Sequence, residues 1–86
     1  MYEEYKEHKE LIEKLMSFLQ KNGDGCPITQ VDKYIVELYA DSASQRKAEG
    51  FINQLIKRNE LRIDERKPGY IFITLDGIRK FNEVLF

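Results

Sequence analysis

Hydrophobic positions recur every three or four residues through the first quarter of the chain. Tyr5, Leu11, Ile12, Leu15, Phe18 and Leu19 make one apolar stripe and predict a helix from Tyr2 to Lys21. Glu10 and Lys14, four apart, add weak support to it. Asn22-Gly23-Asp24-Gly25 ends it, because these residues favour turns and tolerate positive φ. Cys26-Pro27-Ile28 reads as extended, since Pro27 disfavours helical backbone in the residue before it. Thr29 has the chemistry of an N-cap for a second helix, with Val31, Tyr34, Ile35 and Leu38 as its buried face and an end near Ala40. Asp41 begins a tight turn. Ser42 and Gln45 have the spacing of a capping box and start a third helix, whose inward side is Ala48, Phe51, Ile52 and Leu55.

Asn59 reads as a left-handed stop, and after it the period changes from helical to alternating. Leu61 and Ile63 alternate with Arg62 and Asp64, the pattern of a half-buried strand. Arg66-Lys67-Pro68-Gly69 turns the chain, Tyr70 to Ile73 returns as a β-rich strand, and Thr74 caps a last helix that buries Ile78, Phe81 and Leu85. No repeat, linker or low-complexity tract interrupts this order. The expectation is an α+β fold in one domain over residues 1–86, with a three-helix core, a two- to three-stranded β element and a C-terminal helix.

Hydrophobic content of 42% and charged content of 34% suit a compact domain better than a disordered one. So short a chain buries a modest fraction of its surface, which limits its stability unless it oligomerises. No apolar run reaches membrane-spanning length, and MYEEYKEHKE is too charged for a signal peptide, so the expected location is cytoplasmic with no membrane partner. Cys26 is the only cysteine, which leaves a reduced thiol or a bridge to Cys26 of a second copy. Net charge is −1, but it is unevenly spread. Residues 1–41 hold five Lys and nine acids, whereas residues 42–70 hold seven Lys or Arg and four acids. A phosphate-binding surface needs local positive potential, not a basic whole. Ordinary solvated charge is the plainer reading of the same numbers.

The residues for catalysis are sparse. There is one His, His8, in a charged segment that reads as surface, and no His-Glu-x-x-His or Cys-x-x-Cys metal pattern. Asn22-Gly23-Asp24-Gly25 lacks the Lys-Ser/Thr of a phosphate loop and follows a helix, not a strand. Asp64-Glu65 lies beside arginines, as ion pairs do. The chain is read as a non-enzyme, with no cofactor, no metal and no evident small-molecule ligand.

Three local patterns carry a resemblance. Ile28-Thr29 is similar to the apolar-Thr step that opens the second helix of winged helix-turn-helix regulators of the MarR and PadR type. Phe51-Ile-Asn-Gln-Leu-Ile-Lys-Arg-Asn-Glu-Leu61 resembles the end of their recognition helix, and Ile73-Thr74-Leu75-Asp76-Gly77 resembles the Leu-Thr-x-x-Gly junction after their wing. Here Ile73 replaces Leu, and Asn59-Glu60 stands where Gly is common. The resemblance covers residues 11–85. Small size, richness in Ile, Lys and Glu and the absence of Trp are similar to the short winged-helix proteins of thermophilic archaea and their viruses. The resemblance implies a winged helix-turn-helix that binds double-stranded DNA as a homodimeric transcriptional regulator. Its recognition helix, 42–58, would lie in the major groove, with the wing, 61–73, on the backbone or in the minor groove.

The helical period then sorts the third helix into faces. Opposite its core stripe stand Ala43, Arg46, Gly50, Asn53 and Lys57. Arg46 can pair with guanine and Asn53 with adenine, and Gln45 and Lys47 flank them near the helix start. Ser42 and Ser44 can donate to phosphate, although Ser42 also serves as the cap. Gly50 costs about 1 kcal/mol against Ala in an exposed helix. Either something approaches the backbone closely there, or the glycine relieves crowding against another helix, or it is merely tolerated. At the hairpin, Arg66 and Lys67 are the basic tip, for DNA or for solvent.

The first helix starts with Tyr2 and Tyr5, and the sequence closes on Val84-Leu85-Phe86. Apolar ends on a small protein point to a partner surface, and the resemblance implies a homodimer built from terminal helices, with Tyr2, Tyr5, Phe81, Leu85 and Phe86 at its interface. The plainer reading is that these residues complete the protomer's own core. The rival function is a winged-helix module for protein–protein assembly without DNA binding, whose acidic first half would suit a basic partner.

Overall fold

In the computed structural model, which describes residues 3–86, the helices α1 (Glu3–Glu7), α2 (Lys9–Lys21), α3 (Ile28–Leu38), α4 (Ser42–Lys57) and α5 (Leu75–Leu85) surround a small sheet of β1 (Cys26–Pro27), β2 (Leu61–Ile63) and β3 (Tyr70–Ile73). The strands are antiparallel in the order β1-β3-β2, with Cys26 opposite Ile71 and Leu61 opposite Ile73. The fold is thus α+β, with a layout compatible with a winged helix. Among the described residues no helix is long and apolar enough to cross a membrane.

The core forms where the apolar stripes meet. Leu11, Ile12, Leu15, Met16 and Leu19 of α2 pack with Val31 and Ile35 of α3, with Ala48, Phe51, Ile52 and Leu55 of α4, and with Cys26, Leu61, Ile71 and Phe81. Each large aliphatic or aromatic side chain buried there contributes about 1.5–3 kcal/mol. Burial pushes the Cys26 thiol up to about 11 and keeps it from a second copy's cysteine in the folded protomer.

Several elements differ from the sequence reading, each for an identifiable reason. The expected first helix is broken at His8. That residue turns inward, stacks on the Phe51 ring at 4.5 Å between centroids, and hydrogen-bonds Tyr39 Oη through Nδ1 at 2.5 Å. It is buried, not a surface residue. Thr29 is not an N-cap: α3 starts one residue earlier, where the Ile28 amide donates to the Gly69 carbonyl of the β2–β3 loop at 2.8 Å. The cap of α4 is Asp41, not Ser42. The Asp41 carboxylate accepts from the Ser44 amide at 2.8 Å and from Ser44 Oγ at 3.1 Å, and these bonds hold its pKa below the usual carboxylate range. Ile63, expected inward, is 45% exposed because it ends the edge strand at the mouth of a surface hollow. Ile78 is 38% exposed, since Gly77 and Phe81 take the inward side of α5. Asn59 does adopt left-handed backbone, with φ 60°.

The junction after β3 is built around a close approach. Thr74 Oγ1 donates to the carbonyls of Asn59 (2.6 Å) and Glu60 (3.1 Å) and accepts from the Gly77 amide at 3.0 Å. A Cβ on Gly77 would lie 2.9 Å from the Glu60 carbonyl carbon and far inside contact with its oxygen. The Thr-x-x-Gly pattern therefore caps α5 and lets its first turn rest on the backbone that follows α4.

Tyr5 belongs to this junction as well. Its hydroxyl donates to the buried Glu60 carboxylate, 2.7 and 2.9 Å from the two oxygens, and Arg58 Nη1 donates to it at 3.1 Å. Tyr5 and Phe81 are thus taken up in the protomer's own core and present no surface to a second copy. Tyr2, the other N-terminal interface expectation, lies outside the described residues.

Candidate nucleic-acid interface

The core stripe of α4 fixes what its remaining sides show. Ala48, Phe51, Ile52 and Leu55 point inward, so Arg46, Gly50, Asn53 and Lys57 share the opposite side, and all four are exposed. Neither Arg46 nor Lys57 has a hydrogen-bond or ion-pair partner among the described residues. Gly50 has open space around it, with nothing within 4 Å of where a Cβ would stand. Crowding against another helix, one of the three explanations for this glycine, is thereby removed. The face is a cationic and amide surface with a bare stretch of helix backbone at its middle.

The flank of α4 toward α1 behaves differently. Lys47 Nζ sits 3.8 Å from Glu7 and Arg58 Nη2 3.8 Å from Glu4, so the acidic first helix offsets one basic residue of α4 and one just past its end. Lys47 therefore stands off the free face, although such exposed pairs are weak enough to exchange. Gln45 is not a free surface group: its Nε2 donates to the Tyr39 carbonyl at 3.0 Å and ties the start of α4 to the end of α3. Ser44 is committed to the Asp41 cap.

At the β2–β3 hairpin the two basic residues also part. Arg66 is almost fully exposed, its Nε 3.7 Å from Asp64, which accepts from the Arg66 amide at 2.9 Å. That bond, then the nearby Arg66 and Arg62 charges, keep the Asp64 carboxyl below its usual range. Lys67 folds back, donating to the Asp24 carbonyl at 3.1 Å and lying 4.2 Å above the Tyr70 ring. Arg62, missed in the sequence reading, lies 4.9 Å above the Phe72 ring on the same hairpin. Its position in an alternating strand marks it as outward, but nothing in the sequence shows that its guanidinium is held over an aromatic neighbour.

The nine sequence-derived contact positions therefore fall into groups: Arg46, Gly50, Asn53 and Lys57 on one open face, Arg66 exposed at the hairpin beside Asp64, and Ser44, Gln45, Lys47 and Lys67 engaged within the protomer. Among the described residues no three His, Cys, Asp or Glu side chains are grouped to hold a metal ion. Compared with known protein families, curated proteins and solved structures, the chain matches none.

Proposed function

We propose that the protein is a small winged-helix regulator that binds double-stranded DNA, with α4 as recognition helix in the major groove and the β2–β3 hairpin as wing along the backbone. The observation that carries this reading is the open α4 face. A glycine there costs about 1 kcal/mol of helix stability against Ala, and no intramolecular neighbour requires it. A duplex supplies a reason, since a bare backbone lets the helix seat deeply beside base edges. Arg46 and Lys57 flank the gap with uncommitted charge, and Asn53 offers the paired donor and acceptor that adenine needs. Arg66 reaches phosphate from the wing.

A homodimer fits the same reading. Leu75, 79% exposed, and Ile78 form a short apolar stripe on α5, and Phe86, 98% exposed, follows the helix; the protomer leaves all three open. Pairing two such stripes about a two-fold axis would present two α4 helices to a palindromic site.

Fluorescence anisotropy with a labelled duplex tests the DNA reading. At low salt the wild type binds, and log affinity falls steeply with log salt. Arg46→Ala and Lys57→Ala each weaken binding and reduce that slope by about one. Gly50→Leu, which fills the gap without touching the core, abolishes it. Absence of binding at low salt, or unchanged binding in all three variants, returns the protein to the rival reading of an assembly module. Selection from random duplexes then identifies the site.

A further inference from the structure

A hollow of about 140 Å³ opens between α3, α4 and the edge of the sheet. Its walls are aliphatic, among them Val31, Ile52, Ile56 and the half-exposed Ile63, while Asp32 and Glu49 stand at its rim. Neither carboxylate has an ion-pair partner among the described residues. Asp32 is shared with a second, shallower hollow along the outer side of α3, where Val36 is 63% exposed beside Lys33 and Glu37. The two together form an apolar track crossed by three carboxylates and one cation.

We propose that this track docks a cationic amphipathic segment of another protein, with one apolar side chain in the hollow and Lys or Arg against Asp32 and Glu49. Size decides against a small molecule as the main occupant. Sites for organic ligands are clefts of about 300–1,000 Å³ that wrap most of the ligand, whereas the hollow over the core takes one large side chain, and the adjoining one, of about 390 Å³, is a shallow open surface around Val36. Charge decides against nucleic acid, because Asp32 and Glu49 repel phosphate at the rim. Aliphatic anchoring with opposite charge around it is the chemistry of helix-in-groove recognition. The hollow borders the proposed DNA face, since Asn53 lines it and Glu49 is exposed on α4 between Arg46 and Asn53, but a titration made without DNA does not depend on that face.

The test is an amide and methyl NMR titration of the full chain with a short capped peptide. The peptide has two leucines one helical turn apart, flanked by lysines, and its control has glutamates in place of the lysines. The lysine peptide is expected to shift Val31, Ile52, Ile56 and Ile63, and the glutamate peptide to leave them in place. The double variant Asp32→Asn/Glu49→Gln, both exposed and outside the core, keeps its spectrum elsewhere and weakens the lysine peptide about tenfold. Three results would overturn the proposal. One is equal binding of the glutamate peptide. Another is shifts centred on Leu75 and Ile78 instead. The third is movement of the hollow's resonances with protein concentration alone, which would make a second copy the occupant.

Discussion

Two glycines in helices, Gly50 and Gly77, should respond to the same substitution with opposite sign. At Gly50 an added methyl meets nothing within 4 Å, so Gly50→Ala gains the intrinsic helix preference of Ala and loses nothing. That is about 1 kcal/mol, or a rise in Tm of about 4–8 °C for a domain of this size. At Gly77 the methyl runs into the Glu60 carbonyl, a backbone group held in place by the Thr74 amide and hydroxyl. A rigid neighbour cannot swing away, so α5 must lift. Overpacking costs about 1–3 kcal/mol and occasionally more. Taking about 3 here, less at most about 1 for helix preference, Gly77→Ala loses about 2 kcal/mol and about 8–16 °C. Thermal unfolding followed by circular dichroism gives both numbers. If Gly77→Ala melts at or above the wild type, α5 does not rest on the Glu60 backbone and the account of Thr74-x-x-Gly77 is wrong. If Gly50→Ala lowers Tm, the α4 face is not open.

Other outcomes follow from the same structure. Burial lowers the His8 pKa, against weaker upward pulls from Glu7 and Glu4, so the fold favours the neutral ring. The unfolded chain then takes up the proton first: the contribution is full above about pH 6.5, the ordinary His value, and is lost as pH falls from there through the lower folded value. Denaturant midpoints at pH 7.5 and 5 should show this loss, and a His8→Phe variant that keeps it would exclude His8 as its source. Tyr5→Phe removes the hydroxyl that meets both buried Glu60 oxygens and should cost about 1.5–3 kcal/mol, read as a lower denaturant midpoint. An unchanged midpoint would mean that Glu60 finds water instead. Leu75→Glu with Ile78→Glu should convert a dimer to a monomer in light scattering, and a wild type already monomeric at high concentration ends the α5 pairing idea.

Most of the fold is legible in the sequence because its signals are local. The α2 stripe, the α4 core positions, the Asn59 stop and the Thr74 cap each depend on neighbours within one or two turns. What is not legible depends on partners distant in sequence. His8 is charged-segment surface until Phe51 and Tyr39 come to cover it, and that cover is also what breaks the first helix. Thr29 is not the cap because α3 already starts at Ile28, whose amide is held by the Gly69 carbonyl that sheet pairing brings in. Asp41 displaces Ser42 as cap for a nearer reason. A carboxylate one residue earlier accepts from the amide and the hydroxyl of Ser44 together.

The candidate site divides along the same line. Helical phase alone separates Arg46, Gly50, Asn53 and Lys57 from the core, since phase is set by the helix itself. It cannot tell that Lys47, nearest in sequence to Arg46, faces Glu7 of α1, or that Gln45 reaches the Tyr39 carbonyl. It also leaves Gly50 with several explanations, and only the packed structure removes one, by showing that no helix lies near it. The helical glycine that does meet crowding is Gly77, in the Thr74-x-x-Gly77 pattern that carries the family resemblance. One helix-breaking residue type thus stands at two positions for unlike reasons. At Gly77 the reason lies inside the protomer, in the Glu60 carbonyl. At Gly50 nothing inside the protomer supplies one, so the search moves to what the α4 face meets outside it, and the flanking Arg46 and Lys57 make a polyanion the first molecule to try.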